Sequence, residues 1–334
     1  MNKVSIILVL LISMMISGCS KSVSVGSVKP AQIDEMSSKK KIAILRFSND
    51  RNNLSNKIES KISYSKINGK RYFTVIDRKN INSIMKEQKF QNNGLFEDSE
   101  IVEVGKLLGV QAIITGDVSN QNISRNSYYV EKKKCETRNK NRICRRINVR
   151  CVKTVGDLNS VIKITDVSTG DIIHSELVSS SRSYKSCSDS SYVTPSNGSI
   201  FEELSSNIAG KFVYKLIPHK YYMKVYIIDE LDGEYTDQQE EDFENILKYI
   251  DKRRFSKAER LTVDLINSMN NKSYVALYTL AVLKEINGNL IEAQEIYLEA
   301  DYKTKKPVDE IDNAIIRIKR MIKDKNKSNE QIGR

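Results

Sequence analysis

The sequence predicts an α/β fold, a mixed sheet with flanking helices, followed by a small all-α helical domain. Three short runs rich in β-branched and aromatic residues, at 42–47, 72–76 and 112–115, indicate strands. The segments between these runs carry apolar residues at helical spacing, and strands that are joined through helices pair in parallel. With 334 residues, the chain is also long enough to divide into two domains.

Three helices are predicted around these strands, each from apolar residues three or four positions apart. Their inward positions are Leu54, Ile58 and Ile62 in the first helix, Ile81, Ile84 and Met85 in the second, and Ile101, Val104 and Leu108 in the third. Asp77 is placed to cap the second helix, and Gly109 is placed to end the third. Strand and helix therefore alternate through residue 118.

A β-hairpin and a further helix are predicted after residue 157. Two strand patterns, at 158–165 and 171–178, flank a turn that contains Gly170. A serine-rich loop is expected at 179–199, and a helix with Ile200, Leu204 and Phe212 on one face follows, with Pro218 beyond its end. We assign residues 41–219 to this α/β domain.

The N-terminus has the pattern of an export signal. Residues 1–18 hold Lys3 and an uncharged apolar run that ends in small residues. The ending before Cys19 resembles the bacterial lipobox, which implies cleavage there and acylation of Cys19 with chains such as palmitate. A plain secretion signal with a chance cysteine is the alternative. Ser20 and Lys21 lack the aspartate that resembles an inner-membrane retention signal, so we expect an outer-membrane anchor facing the periplasm. The polar residues 19–40 are expected to form a lipidated tether.

The chain is strongly basic, and much of the excess charge lies in one segment. The formal charge is +12, and loss of residues 1–18 removes one lysine, which leaves 12 − 1 = +11. Residues 131–153 hold ten lysines and arginines against two glutamates, within a basic excursion at 119–157. Because an exported protein rarely meets nucleic acid, the basic charge of the mature chain fits anionic lipid, lipopolysaccharide or an acidic polymer better, and we expect an anionic polymer as the partner of this excursion.

Four cysteines remain besides Cys19, and they are candidates for two disulfides. They are Cys135, Cys144, Cys151 and Cys187. Exported proteins retain disulfides, and four cysteines allow three pairings, between which the sequence does not choose. The spacings lack the close C-x2-C pairs of structural zinc sites, so no metal site is predicted.

A helical domain is predicted at 237–325. Residues 274–307 resemble one tetratricopeptide repeat, with Gly288 in its turn and Pro307 past its end, and a weaker copy lies around Ala258. A generic helical bundle is the alternative. The resemblance implies that other envelope proteins bind along the less buried first-helix positions, for which Tyr278 and Lys284 are candidates.

Residues 41–219 resemble the CsgG-like family, the lipoproteins of curli production and related activators of peptidoglycan synthases. The matching stretches are 43–47, FTVIDRKNINSIMKEQ at 73–88, GVQAIITGDV at 109–118 and the turn DVSTGDI at 166–172. The order of strands and helices and the lipobox also agree. The resemblance implies an envelope lipoprotein with protein partners, including other copies of itself in a homo-oligomer.

The basic excursion departs from what the resemblance implies for the curli channel, in which amphipathic hairpins enter the membrane. A membrane strand needs one apolar face, and a charge at the bilayer midplane costs about 2–4 kcal/mol. Lysine and arginine occupy both parities of this excursion, so we expect it to stay in water. The expected function is a protein-binding component of envelope or secretion assembly, and a secretion channel and a synthase activator are the alternatives.

No catalytic residue, metal or cofactor is predicted. The chain has two histidines and lacks the G-x-S-x-G, Walker and H-E-x-x-H motifs. Its acidic pairs fall at helix starts, where interaction with the helix dipole explains them. We therefore expect a protein that is not an enzyme.

Overall fold

The computed structural model describes residues 21–77, 81, 98–138 and 141–334. These residues form two compact units. The α/β unit comprises residues 31–219 and 330–334, and the helical unit comprises residues 21–30 and 220–329 of the described chain. Each unit is described by itself.

A mixed sheet forms the centre of the α/β unit. Its described strands are β2 (Lys41–Ile44), β5 (Thr74–Val75), β6 (Ala112–Arg138), β7 (Asn141–Asp166) and β8 (Ile172–Cys187). They lie in the order β5–β2–β6–β7–β8, with β5, β2 and β6 parallel and β6, β7 and β8 antiparallel. A small separate hairpin joins β3 (Lys66–Ile67) to β4 (Lys70–Arg71). Together with its helices, this sheet confirms the predicted fold class.

Helices cover both faces of the sheet. α1 (Leu54–Tyr64) and α3 (Asn197–Leu216) pack on the face that presents Ile42 and Ile114. α2 (Asp98–Leu108) packs on the opposite face, which presents Ala43 and Ile113. Neighbouring residues of one strand enter different cores because side chains alternate along a strand.

The helices predicted from apolar spacing agree with α1, α2 and α3 in their inward residues. Leu54, Ile58 and Ile62 are fully buried on α1, and the positions expected on α2 and α3 are buried as well. The predicted helix with Ile84 and Met85 lies outside the described residues. Of its inward positions only Ile81 is described, and it is buried.

The segment after residue 118 forms regular β-structure. Its composition had suggested an excursion at 119–157 and a serine-rich loop at 179–199 instead. β6 and β7 continue as one antiparallel hairpin from the pair Ala112–Asp166 to the pair Arg138–Asn141. β8 accompanies β7 as far as the pair Cys151–Cys187, so the loop expected at 179–199 begins only after Cys187. Backbone pairing forms this ladder without an alternating apolar pattern, which is why the composition did not reveal it.

The turn between β7 and β8 is closed by side chains as well as by backbone. Gly170 has φ +82°, a left-handed conformation that favours glycine. Asp166 accepts hydrogen bonds from the Ser168 backbone N–H at 2.8 Å and from Lys39 Nζ at 2.6 Å. Burial alone would raise the pKa of the Asp166 carboxyl, but the hydrogen bonds from Lys39 and Ser168 outweigh it and lower that pKa to about 2.

The helical unit contains five described helices and one two-stranded sheet. The helices are α4 (Asp237–Asp251), α5 (Phe255–Ser268), α6 (Tyr274–Ile286), α7 (Leu290–Lys303) and α8 (Asp309–Gly333), whose last residues belong to the α/β unit. The sheet pairs β1 (Ser22–Lys29) with β9 (His219–Tyr226). Val23, Val25 and Val225 from these strands are buried in the same core as the helices.

The prediction of a polar tether at 19–40 is wrong for most of these residues, because they form regular structure. Residues 22–29 form β1, and a 3-10 turn at Asp34–Ser38 follows. β1 is polar on average, but Val23 and Val25 alternate with serine and glycine, and the side that they share with Ser27 is buried. This alternation makes β1 a half-buried strand.

The last residues of the chain close the α/β unit. Gln331 is buried, with its side-chain oxygen accepting from the Ala31 backbone N–H at 2.7 Å and its nitrogen donating to Asp34 Oδ1 at 2.7 Å. Its backbone carbonyl accepts from Tyr72 Oη at 3.1 Å and Lys40 Nζ at 3.2 Å. Burial, together with the Asp34 carboxylate, raises the pKa of Tyr72 to about 12.

Candidate functional site: the basic arm

The β6–β7 hairpin extends well beyond the helix-covered part of the sheet. We call residues 124–138 and 141–155 the basic arm. Each strand of the arm has 15 residues, which at roughly 3.3 Å per residue corresponds to about 50 Å. Near its base, Gly156 of β7 faces Ile200 and Leu204 of α3. The arm therefore starts where the helical cover ends.

Cationic side chains occupy both faces of the arm. The register shows this, since residues directly opposite each other on the two strands lie on the same face. On one face, Lys133 lies opposite Arg146. On the other face, Lys134 lies opposite Arg145 and Lys132 lies opposite Ile147. Residues 131–138 and 141–150 hold eight lysines and arginines against two glutamates, so their net charge is 8 − 2 = +6.

Part of this charge is neutralised locally. Arg146 lies 3.1 Å from Glu131, Lys134 lies 3.1 Å from Glu136, and Lys132 lies 2.7 Å from Asp189 in the segment after β8. The hydrogen bond from Lys134 and the charges of Lys134 and Arg145 lower the pKa of Glu136. These pairs are solvent-exposed and contribute little to stability. Because lysines and arginines outnumber the carboxylates, the field of the arm stays positive.

Two disulfides fix the arm. Cys135 bonds Cys144 across the hairpin, and Cys151 bonds Cys187 where β8 ends. Of the three pairings that the sequence allowed, the structure has this one. Within the described residues, no group of three or more histidine, cysteine, aspartate or glutamate side chains could hold a metal ion.

Apolar side chains on the arm are scattered among the charges. Tyr129 is 69% exposed and Ile143 is 59% exposed. Tyr129 lies on one face, opposite Arg150, whereas Ile143 lies on the other face, opposite Glu136. The second face also has Val130 opposite the buried Val149, followed by Lys132 opposite Ile147. Apart from Ile143, its apolar side chains thus lie toward the base of the arm and its charges toward the tip.

A second surface feature of the α/β unit is a cleft of about 550 Å³ beside β8 and α3. Its lining includes the exposed side chains of Leu177 and Tyr214 and the amine of Lys211, which donates to the Ser179 carbonyl at 2.7 Å. β8 is the edge strand of the described sheet, and an edge strand can pair with an added strand. This cleft is thus a place where an extended segment could lie.

The partner-groove candidates of the helical unit are corrected by the structure. Tyr278 is 1% exposed and donates a hydrogen bond to the Tyr226 carbonyl of β9 at 2.7 Å, and burial raises its pKa. Lys284 is ion-paired with Glu259 at 2.9 Å and with Glu292 at 2.6 Å. The β1–β9 sheet packs against α6, so the positions that would line a repeat groove belong to the core.

A buried ionic cluster links α6, α7 and α8 within the helical unit. Glu285 is fully buried and accepts hydrogen bonds from Arg317 Nε and Nη2, both at 2.8 Å, and from Tyr297 Oη at 2.6 Å. Burial and the Glu285 carboxylate raise the pKa of Tyr297, whereas the ion pair with Glu285 raises that of Arg317 against the opposing effect of burial. The arrangement is structural, since Glu285 and Tyr297 are closed off from solvent.

The strand pairing of the arm was missed from the sequence, although one signal was present. Cys135 and Cys144 are equally distant from Arg138 and Asn141, the last cross-strand pair described. A disulfide across a hairpin needs two cysteines that are placed symmetrically about the turn, so that they lie directly opposite each other. The nine-residue spacing therefore contained the register of the hairpin.

Fold and site define an α/β protein whose mixed sheet extends into a cystine-linked basic hairpin and is accompanied by a helical unit. Residues 24–194, which are 171 of 334 residues, match the family described as curli production assembly/transport component CsgG. The chain belongs to this family, which confirms the resemblance found in the sequence.

Several solved structures are similar to parts of the chain at low identity. One is the LpoB C-terminal domain from Salmonella enterica, with 11% identity, coverage of 45% of this chain and 95% of that chain, and a TM-score of 0.26. Another is lipoprotein GNA1162 from Neisseria meningitidis, with 12% identity, coverage of 52% of this chain and 97% of that chain, and a TM-score of 0.28. The PelC dodecamer from Paraburkholderia phytofirmans is similar with 12% identity, coverage of 59% of this chain and 97% of that chain, and a TM-score of 0.23. The family assignment rests on the sequence match, not on these superpositions. No curated protein matches the chain significantly. Among the described residues, no helix is both long enough and apolar enough to cross a bilayer.

Proposed function

We propose that this chain is an outer-membrane lipoprotein, anchored through Cys19 and facing the periplasm, that binds other proteins during envelope or secretion assembly. The family assignment supports a role in the cell envelope. The lipobox residues before Cys19 support the anchor. In this proposal the basic arm contacts an acidic surface of the partner.

The observation that carries the proposal is the presence of cationic side chains on both faces of the arm. Lys133 and Arg146 lie on one face, and Lys134 and Arg145 lie on the other, with exposed side chains. A lipid-facing strand would have to bury one of these sets, at about 2–4 kcal/mol for each charge near the midplane. In water, the same charges attract an acidic partner and accelerate its association.

A crosslinking experiment tests the arm. A photoreactive amino acid is placed at Tyr129 in the full-length lipoprotein, and the products formed in cells are identified. Charge reversal with Lys133→Glu and Arg142→Glu should then lower the crosslink yield at least tenfold, because each reversal replaces attraction by repulsion. The matched control reverses Lys305 and Lys306, two exposed lysines of the helical unit. Equal yields from the arm variant and the control would refute the assignment.

The helical unit is a second proposed contact, through a face other than that of Tyr278. Ile291, Leu298 and Tyr302 are 58%, 45% and 86% exposed. Their spacings of seven and four residues place them along one side of α7. Exposed apolar side chains in a row are typical of a helix-binding surface. Ile291→Lys with Leu298→Lys should abolish capture of a partner that binds here, while leaving the far-UV circular dichroism unchanged.

An oligomeric secretion channel is the competing function, and the length of the arm is the observation in its favour. β6 and β7 have 27 and 26 residues, more than the roughly 9–11 that a membrane strand needs. A channel predicts detergent-resistant oligomers, conductance in planar bilayers and labelling of the arm by a membrane-restricted photoprobe. Labelling of residues 131–150 from within the bilayer would replace the binding proposal by the channel.

A further inference from the structure

The β1–β9 sheet of the helical unit has one buried face and one exposed face of unusual composition. Val23, Val25 and Val225 point into the helical core. The exposed side of β9 carries Lys220, Tyr222, Lys224 and Tyr226 in strict alternation. We call these four residues the lysine–tyrosine face.

The two tyrosines of this face are held in exposed positions. Tyr222 is 71% exposed and Tyr226 is 47% exposed. A Cβ on Gly26 would lie 3.0 Å from Tyr222 Cε1, so the absence of a side chain on β1 lets this ring lie across the strand. Lys224 Nζ lies 4.7 Å from the centre of the Tyr226 ring. The face therefore presents flat aromatic rings with amines beside them.

The sheet begins immediately after the lipidation motif. Cys19 precedes Lys21 by two residues, and the Lys21 carbonyl accepts a hydrogen bond from Ile227 N–H at 2.9 Å, next to the end of β9. Two extended residues span at most about 7 Å. If Cys19 carries acyl chains, the start of the sheet is thus held close to the headgroups.

We propose that the lysine–tyrosine face binds the anionic phospholipid surface to which Cys19 is anchored, and so seats the helical unit on the membrane. Tyrosine rings favour the interface between headgroups and acyl chains, and lysine amines extend from an apolar stem to lipid phosphates. Asp229 and Glu230 follow β9 at the Lys21 end, so the phosphate contacts are assigned to Lys220 and Lys224. The geometry of this inference rests on the proposed acylation of Cys19.

A single tryptophan can report on this contact because the chain has none. Tyr222→Trp is placed in the full-length lipoprotein, which is reconstituted into vesicles of phosphatidylethanolamine and phosphatidylglycerol. Its emission should shift to shorter wavelength and should be quenched by brominated acyl chains. The control is Tyr64→Trp on α1 of the α/β unit, where the native side chain is similarly exposed at 81%. Its emission should remain that of tryptophan in water.

The charge requirement is measured with unlipidated chain, Cys19→Ser, and the same vesicles. Each lysine near an anionic surface contributes a factor of about five in partitioning, so Lys220→Gln with Lys224→Gln should lower binding roughly thirtyfold. Vesicles of phosphatidylcholine alone should bind both forms equally weakly. The control Lys305→Gln with Lys306→Gln should bind anionic vesicles as the parent does.

The outcomes separate this inference from the proposed function. Mass measurement of the purified lipoprotein tests the acylation of Cys19 independently of any fluorescence. If acyl chains are present but the emission of the Tyr222→Trp variant is unchanged on vesicles, the membrane face is overturned and the lipoprotein assignment stands. An emission shift in the Tyr64→Trp control without one in the Tyr222→Trp variant would also overturn it. So would a Tyr222→Trp variant whose emission responds to an acidic protein but not to vesicles.

Discussion

Replacing Arg317 with methionine removes one partner of the buried Glu285 carboxylate. Glu285 then keeps only the hydrogen bond from Tyr297, at 2.6 Å, in a site with no solvent exposure. An unpaired buried charge costs about 3–5 kcal/mol, and Arg317 is 13% exposed, so a loss of about 3 kcal/mol is expected for the helical unit. Urea unfolding followed by circular dichroism measures it.

The second substitution, Glu285→Gln, tests whether the buried charge is the cause. Glutamine carries no charge but keeps an oxygen that can accept from Tyr297. The double variant should therefore be more stable than Arg317→Met alone, with a total loss of about 1–2 kcal/mol. The coupling between the two positions is then at least about 1 kcal/mol in a double-mutant cycle.

A matched exposed pair serves as the control for this prediction. Lys248 lies 3.1 Å from Glu244 on α4, with both side chains about 60% exposed. Lys248→Met should cost less than about 0.5 kcal/mol. The reasoning fails if Arg317→Met costs no more than this control, or if adding Glu285→Gln makes the protein less stable than Arg317→Met alone.

Three further perturbations test the α/β unit. Asp166→Asn should lower the free energy of unfolding by up to about 2 kcal/mol at neutral pH. Because the pKa of about 2 in the folded protein lies below the usual 3.8, this loss should fade as the pH drops from about 4 through 2. A loss that is unchanged at acid pH would contradict the prediction. Cys151→Ala with Cys187→Ala opens a 36-residue loop and should cost about 4 kcal/mol in denaturant unfolding, and a loss below about 1 kcal/mol would show that this loop closure does not stabilise the fold. Gly116→Ala should cost about 1–3 kcal/mol of stability, since the added Cβ would lie 2.8 Å from a backbone oxygen. Gly210→Ala should instead stabilise α3, because a Cβ there would meet nothing within 4 Å. Equal melting temperatures of the two variants would refute this difference.

Local patterns predicted the elements of the α/β unit because each depends on residues that are close in the chain. The four-residue spacing of Leu54, Ile58 and Ile62 defines the inward side of α1 whatever covers it. The same spacing gave α3, and the turn around Gly170 was visible from its composition. In these cases the tertiary structure buried faces that were already formed.

The basic arm was only partly predictable. Its charge, its cysteines and the mixture of cations on both faces were plain from the composition of residues 131–153. Its form was not, since a ladder of backbone hydrogen bonds needs no particular side-chain pattern. The symmetric placement of Cys135 and Cys144 was the one available signal of the hairpin register.

By itself, the sequence determined the fold class, the family and the positive charge of the arm, because periodicity, motifs and charge are properties of neighbouring residues. Only the tertiary structure decided that β1 pairs with β9, almost 200 residues away, and that their sheet packs against α6 and buries Tyr278. An apolar side chain shows that something must cover it. Which distant segment covers it depends on shape and pairing across the fold, and these determine which residues remain exposed at the surface.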